Sequence, residues 1–228
     1  MFRFCLLALI AICSMTLHMS AANADVIFSN FGHDQTFGIF SYGFGHVPGE
    51  TSRAYTASAF TVPAGQSFQL DALTLAVAFS LLQPSPQPFE VFVLDNSPTG
   101  TPGGIIESFT QTITAPVSPS LFTITSTSHP ILADGGQYWI ALTTGSVTFP
   151  MISGAWVMNS IGDTGPVAQG TDLAALRPLP RLRPAFEIDG TAPAAIPEPS
   201  GVLLLGSGLL ALCLIRRRPA GLFRRLQI

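Results

Sequence analysis

The stretch from Asp25 to Ala195 contains no cysteine and no lysine. Cys5, Cys13 and Cys213 all fall in the terminal segments, so neither a disulfide nor thiol chemistry operates in the body between them, whose stability must come from an apolar core. The cations of that body are Arg53, Arg177, Arg181 and Arg183, four against twelve acidic residues, a net charge of −8 that the whole-chain value of −3 conceals. Nucleic-acid and anionic-membrane binding need clustered basic contacts, which this balance argues against. Helical apolar stripes are lacking too: no segment between Asp25 and Ala195 keeps one for three turns. Nor does the body hold a Gly-x-Ser-x-Gly elbow, or a glycine loop that follows a strand and opens a helix, so the signatures of a serine hydrolase and of a phosphate cradle are missing.

What is present begins at the two ends. Arg3 precedes an apolar stretch from Phe4 to Ile12, and the segment closes with Ala22-Asn23-Ala24 before Asp25. That is the three-part pattern of a secretory signal peptide, with cleavage expected after Ala24, giving a signal peptide over 1–24. Cys13 follows Ile12, where a lipoprotein signal requires a small residue. Near the other end, Pro197-Glu198-Pro199 is followed by an apolar run from Val202 to Ile215 and then by Arg216, Arg217 and Arg218. As a helix, those fourteen residues reach about 21 Å, against a hydrocarbon core of roughly 30 Å. Ser200 and Gly201 extend the span and the arginine stems snorkel, so a single transmembrane helix is expected over about 200–215. The arginines act as a cytoplasmic membrane stop, leaving everything before Pro197 outside the cytoplasm and 219–228 as a basic cytoplasmic tail. Two prolines around Glu198 fix φ and remove two donors, which keeps the junction extended and accessible.

Quoted as it stands, IPEPSGVLLLGSGLLALCLIRRR resembles the PEP-CTERM sorting signal of Gram-negative bacteria. The resemblance covers 197–218 and implies an exosortase-type membrane peptidase as partner, a transient stay in the inner membrane, and removal of the tail before delivery to the envelope or extracellular space. The chain departs from that pattern in continuing as PAGLFRRLQI after Arg218, and an ordinary C-terminal anchor is the alternative.

Between the ends the chain reads as strands. Ala54 to Val62, Ser67 to Phe79, Phe89 to Leu94, Ile105 to Thr114, Leu121 to Thr125, Gln137 to Thr143 and Arg183 to Ile188 show period two or short buried runs. Proline and glycine clusters separate them, with glycine supplying positive φ and proline presetting the first turn position. The aromatic and glycine-rich stretch from Phe31 to Gly45 is expected to close the sheet as a strand or loop. The expected fold is all-β, a two-layer antiparallel β-sandwich of jelly-roll or immunoglobulin-like type over 25–191, with 192–196 as a linker. AFTVPAGQSFQLDALTLAVAF, FEVFVLDNSPTGTPGGIIESF, ILADGGQYWIALTT and RPAFEIDG together resemble the bacterial choice-of-anchor extracellular domains, type R among them. That resemblance implies a fold and a location but no reaction.

Chemistry is sparse in this body. His33, His46 and His129 lack the short spacing of a metal site. Asp95, Ser97, Thr99 and Gly100 fall at positions 1, 3, 5 and 6 of a calcium loop, but position 12 is Ile106 and Glu107 arrives one residue late. A hairpin turn explains the same residues, with an irregular surface calcium site as the alternative; no metal and no cofactor is expected. The run RPLPRLRP reads as a surface loop, with contact to an acidic glycan as its alternative. Aromatics offer the one positive hint of binding. Tyr138, Trp139 and Trp156 are candidate glycan contacts by stacking, although core packing is the favoured reading, and alternation places one of Tyr138 and Trp139 inside and the other at the surface. The expected function is that of an exported, non-enzymatic surface or matrix protein in an exopolysaccharide or biofilm setting. Its rival is a secreted carbohydrate-binding module or glycan-active enzyme.

Overall fold

Leu73, Leu75, Val77 and Phe79 recur at period two along one strand, and all four side chains are buried. In an extended chain that spacing places them on one face, so the strand must lie against a second apolar layer. A computed structural model describes residues 24–46, 52–81, 87–113, 117–144 and 152–193. The chain divides into two units, Met1–Pro193 and Ala194–Ile228, and the described residues belong to the first.

The described strands are β1 (Asp25–Ser29), β2 (Phe37–His46), β3 (Arg53–Thr61), β4 (Phe68–Leu81), β5 (Gln87–Asn96), β6 (Pro102–Ile113), β7 (Val117–Thr125), β8 (Ile131–Leu132), β9 (Gln137–Thr144), β10 (Ile152–Asn159), β11 (Thr164–Gly170), β12 (Pro178–Leu182) and β13 (Phe186–Thr191). Two short 3-10 turns, His33–Gln35 and Leu173–Ala175, complete the described elements. Every pairing between these strands is antiparallel.

The long β4 organises one layer. Along one of its edges lie β13 and then β10, and along the other lie β8 and β7. β1 pairs with β13, and β2 with β10. The second layer runs β6, β5, β9, β3, β11, β12. Two residue pairs, Gly45 with Ala54 and His46 with Arg53, carry hydrogen bonding from one layer into the other. The main apolar cluster draws on both: Leu70, Leu73, Leu75, Trp156, Phe186 and Ile188 from the first, Phe60, Phe89, Val91, Ile140 and Leu142 from the second. Ring contacts cross the interface at Phe79 to Phe89 (4.9 Å between centroids) and Phe60 to Phe186 (6.2 Å, edge to face). The arrangement is sandwich-like, and each large apolar side chain buried in it contributes roughly 1.5–3 kcal/mol.

Two expectations from the sequence need correction. The surface loop expected over RPLPRLRP is in part strand β12, paired residue for residue with β11 from Leu182 opposite Thr164 to Pro178 opposite Ala168. Prolines fit there because β12 has β11 as its strand partner and an edge strand needs no donors on its open side. The strand expected from Arg183 instead opens at Phe186, since Pro184 has no amide hydrogen and the ladder resumes with Ala185 donating to the Val157 carbonyl (2.7 Å).

Buried polar groups fasten the corners. Asn30 donates from Nδ2 to the Pro184 carbonyl (2.8 Å) and accepts at Oδ1 from the Phe186 amide (2.8 Å). Asn159 donates to the carbonyls of Asp163 and Arg183 (2.8 and 2.7 Å) and accepts from the Asp163 amide (2.8 Å). Asn30 thereby supplies partners to backbone groups at the chain reversal, while Asn159 adds a second donor to two carbonyls that already accept the Asn159 and Arg183 amides.

Candidate binding recess

Pro197, Glu198 and Pro199 of the expected sorting motif, Arg216, Arg217 and Arg218 of the expected membrane stop, and Ala22 of the expected cleavage site lie outside the described residues. Ala24 is exposed, and Asp25 opens β1 opposite Gly190. The three aromatic candidates are all in the interior, which corrects the glycan-contact reading. Trp156 has no exposed surface and donates Nε1–H to the Ala185 carbonyl (3.1 Å). Tyr138 packs into the main core, and its hydroxyl accepts the Ala133 amide hydrogen (2.6 Å). Trp139 points to the opposite face of β9 yet is equally inaccessible, donating to Asn96 Oδ1 (2.9 Å) among Ala57, Ala59, Leu94, Ala141, Ala168 and Leu176. Leu173 and Leu176, on the turn before β12, cover that outer face. A ring with both faces packed cannot stack on a sugar.

His33 contacts Asp34 (2.8 Å) on an exposed turn, whereas His129 sits beside the Leu70 carbonyl (3.0 Å) and Asp71 Oδ1 (3.5 Å). His46 ends β2 opposite Arg53. No group of three or more histidine, cysteine or acidic residues is placed to hold a metal ion among the described residues. Asp95 accepts the Gly104 amide hydrogen, so its carboxylate clamps the β5–β6 hairpin.

The hydroxyls of that hairpin converge instead on one another. Ser97 Oγ lies 2.9 Å from Thr99 Oγ1 and 2.7 Å from Thr101 Oγ1, and the two threonine oxygens are 3.2 Å apart. The Thr101 amide also donates to Ser97 Oγ (3.2 Å). The turn folds this way because Ser97 bonds Thr101 and Gly100 through its backbone, and Gly100 has φ of 74°, a conformation that favours glycine. Facing the hairpin is the covering turn, started by Asp172, whose carboxylate accepts the Ala174 amide hydrogen (3.0 Å). Between them opens a recess of about 460 Å3 lined by Thr99, Thr101, Ala174, Ala175, Leu176 and Arg177. The recess is broadly open to solvent, a shallow depression between the two turns rather than an enclosed cavity. Arg53 and Arg183 are paired with Glu90 (2.9 Å) and Asp163 (3.2 Å), while Arg177 is exposed and forms no ion pair among the described residues.

No family model matches the chain, and neither a curated protein nor a solved structure matches it. The recess was readable in part. The alternation Ser97, Thr99, Thr101 stands out in the sequence but suggests ion ligands until geometry turns the hydroxyls toward each other. The facing wall carried a weaker signal, Leu173 and Leu176 in an otherwise small and polar stretch.

Proposed function

We propose that this chain is an exported, non-enzymatic protein of the cell surface or extracellular matrix, delivered by a C-terminal sorting segment. The observation that carries this reading is the order Pro197-Glu198-Pro199, apolar run, Arg216-Arg217-Arg218, set against a signal-peptide pattern at the opposite end. Through its resemblance to PEP-CTERM signals, the segment makes an exosortase-type peptidase the partner and the inner membrane a transient station. The body is a jelly-roll or immunoglobulin-like sandwich that carries the protein's role after delivery, in association with exopolysaccharide. Its cysteine-free, aromatic-rich core supports that role, since it needs no redox chemistry to hold together outside the cell. The test is topological. A periplasmic-only reporter fused after Thr191 is active under this reading, and activity of a cytoplasmic-only reporter at the same place refutes it.

A second reading, a carbohydrate-binding module, is favoured by one specific observation, the hydroxyl-lined recess between the β5–β6 hairpin and the turn before β12. Binding of a polysaccharide by the purified protein distinguishes it from a purely structural role.

A further inference from the structure

Each hydroxyl in the hairpin triangle brings one donor and two acceptor lone pairs. Three mutual contacts use the three hydroxyl hydrogens and one lone pair on each oxygen, and the Thr101 amide takes the second lone pair of Ser97. One unused acceptor therefore remains on Thr99 and one on Thr101, the two members of the triangle that line the recess. Across from them Arg177 brings only donors. Ala174, Ala175 and Leu176 complete the lining, with the Leu176 side chain itself buried against the cluster around Trp139.

We infer that this recess binds a neutral saccharide, Thr99 and Thr101 accepting from sugar hydroxyls while the Arg177 guanidinium donates to neighbouring sugar oxygens. A sugar hydroxyl is both donor and acceptor, and a vicinal pair meets both kinds of wall at once. A carboxylate or phosphate only accepts, so it engages Arg177 but meets a threonine donor only if that hydroxyl turns out of the triangle. Asp95 and Asp172 flank the lining residues in the chain, and the net charge of −8 adds further repulsion of an anion. The inference deepens the carbohydrate-binding reading by naming its site and ligand class, and it is independent of how the protein is exported.

The test is titration of the purified full-length chain with neutral gluco-, galacto- and manno-oligosaccharides, and with oligogalacturonate as the acidic counterpart, by calorimetry and by amide chemical shifts. The inference predicts binding of at least one neutral series, shifts centred on Thr99, Thr101 and Ala174–Arg177, and little change in affinity with salt. Thr99→Val and Arg177→Ala each replace an exposed side chain, so folding is not at stake, and each is expected to weaken binding about tenfold, the effect of one lost hydrogen bond. Ser108→Ala, on an exposed position of β6, is expected to leave affinity unchanged. The inference is overturned if no neutral series binds, if oligogalacturonate binds more tightly than all of them, or if affinity survives Thr99→Val together with Arg177→Ala. A neutral series that binds with shifts elsewhere removes this site while leaving the carbohydrate-binding reading standing.

Discussion

The carboxylate of Glu107 accepts the Ser126 hydroxyl at 2.7 Å, joining an edge strand of one layer to the segment that follows β7 in the other. The amides of Thr127 and Ser128 and the Thr127 hydroxyl donate to the same carboxylate, at 2.8, 2.9 and 3.2 Å. One buried acid thus closes the side of the molecule where β6 and β7, consecutive in the chain, belong to different layers. Glu107→Ala leaves two backbone amides without their acceptor and is expected to destabilise the fold by about 3 kcal/mol. Urea denaturation of the variant checks this, and Glu107→Gln is expected to lose less.

Acid sensitivity follows from the same group. Burial alone would raise the Glu107 pKa, but the amide of Ser128, the hydroxyl of Ser126 and the amide of Thr127 together hold it below the ordinary glutamate value of 4.5. A folded pKa below the unfolded one means stability that is present above the ordinary value and is lost as pH falls through the depressed one. Stability measured against pH is therefore expected to fall on acidification below about 4.5, and the slope to flatten in Glu107→Gln.

Asp189 works in the opposite sense. Burial first, then the charges of Glu187 and Asp71, raise its pKa above the ordinary 3.8. Its favourable contribution is present below the ordinary value and is lost as pH rises through the raised one, so at neutral pH the ionised group weakens the fold. Asp189→Asn is expected to raise Tm at pH 7 and to have little effect at pH 3, as thermal melts at the two values would show.

Glycine substitutions separate close approach from chain flexibility. A Cβ on Gly190 would stand 2.5 Å from the Gln69 backbone carbonyl, and one on Gly154 would stand 2.2 Å from the Phe44 ring. Gly190→Ala and Gly154→Ala are each expected to destabilise by roughly 1–3 kcal/mol. Gly43→Ala meets nothing closer than 4.0 Å and is expected to be tolerated, a contrast that chemical denaturation resolves directly.

Both tryptophans, Trp139 and Trp156, have no exposed surface, so their fluorescence is expected to be blue-shifted and poorly quenched by acrylamide. Trp139→Ala is expected to destabilise by about 3–5 kcal/mol. Efficient quenching in the native protein would contradict this packing.

The strands with clean alternation, β4, β5, β6 and β9, could be read from the chain because one face of each meets the shared core. Alternation misled at Tyr138 and Trp139, where it implied one interior and one surface ring. It registers that two side chains point to opposite faces but not that the second face is also covered, here by Leu173 and Leu176. β12 was hidden because Pro178 and Pro180 read as turn residues, a rule that edge strands escape. β10 was hidden by Gly154, a poor strand former whose missing side chain makes room for the Phe44 ring. The calcium-like spacing from Asp95 failed for a related reason: the spacing gives the oxygens but not their direction, and the carboxylate turns to the Gly104 amide while the hydroxyls turn to each other.

Sorting through the C-terminal segment is tested most directly by the intact mass of the protein recovered from cells with and without the sorting peptidase. The account predicts a chain beginning at Asp25 in both, truncated beyond the Pro197-Glu198-Pro199 region when the peptidase is present and extending to Ile228 when it is deleted. The same untruncated mass in both strains would contradict it.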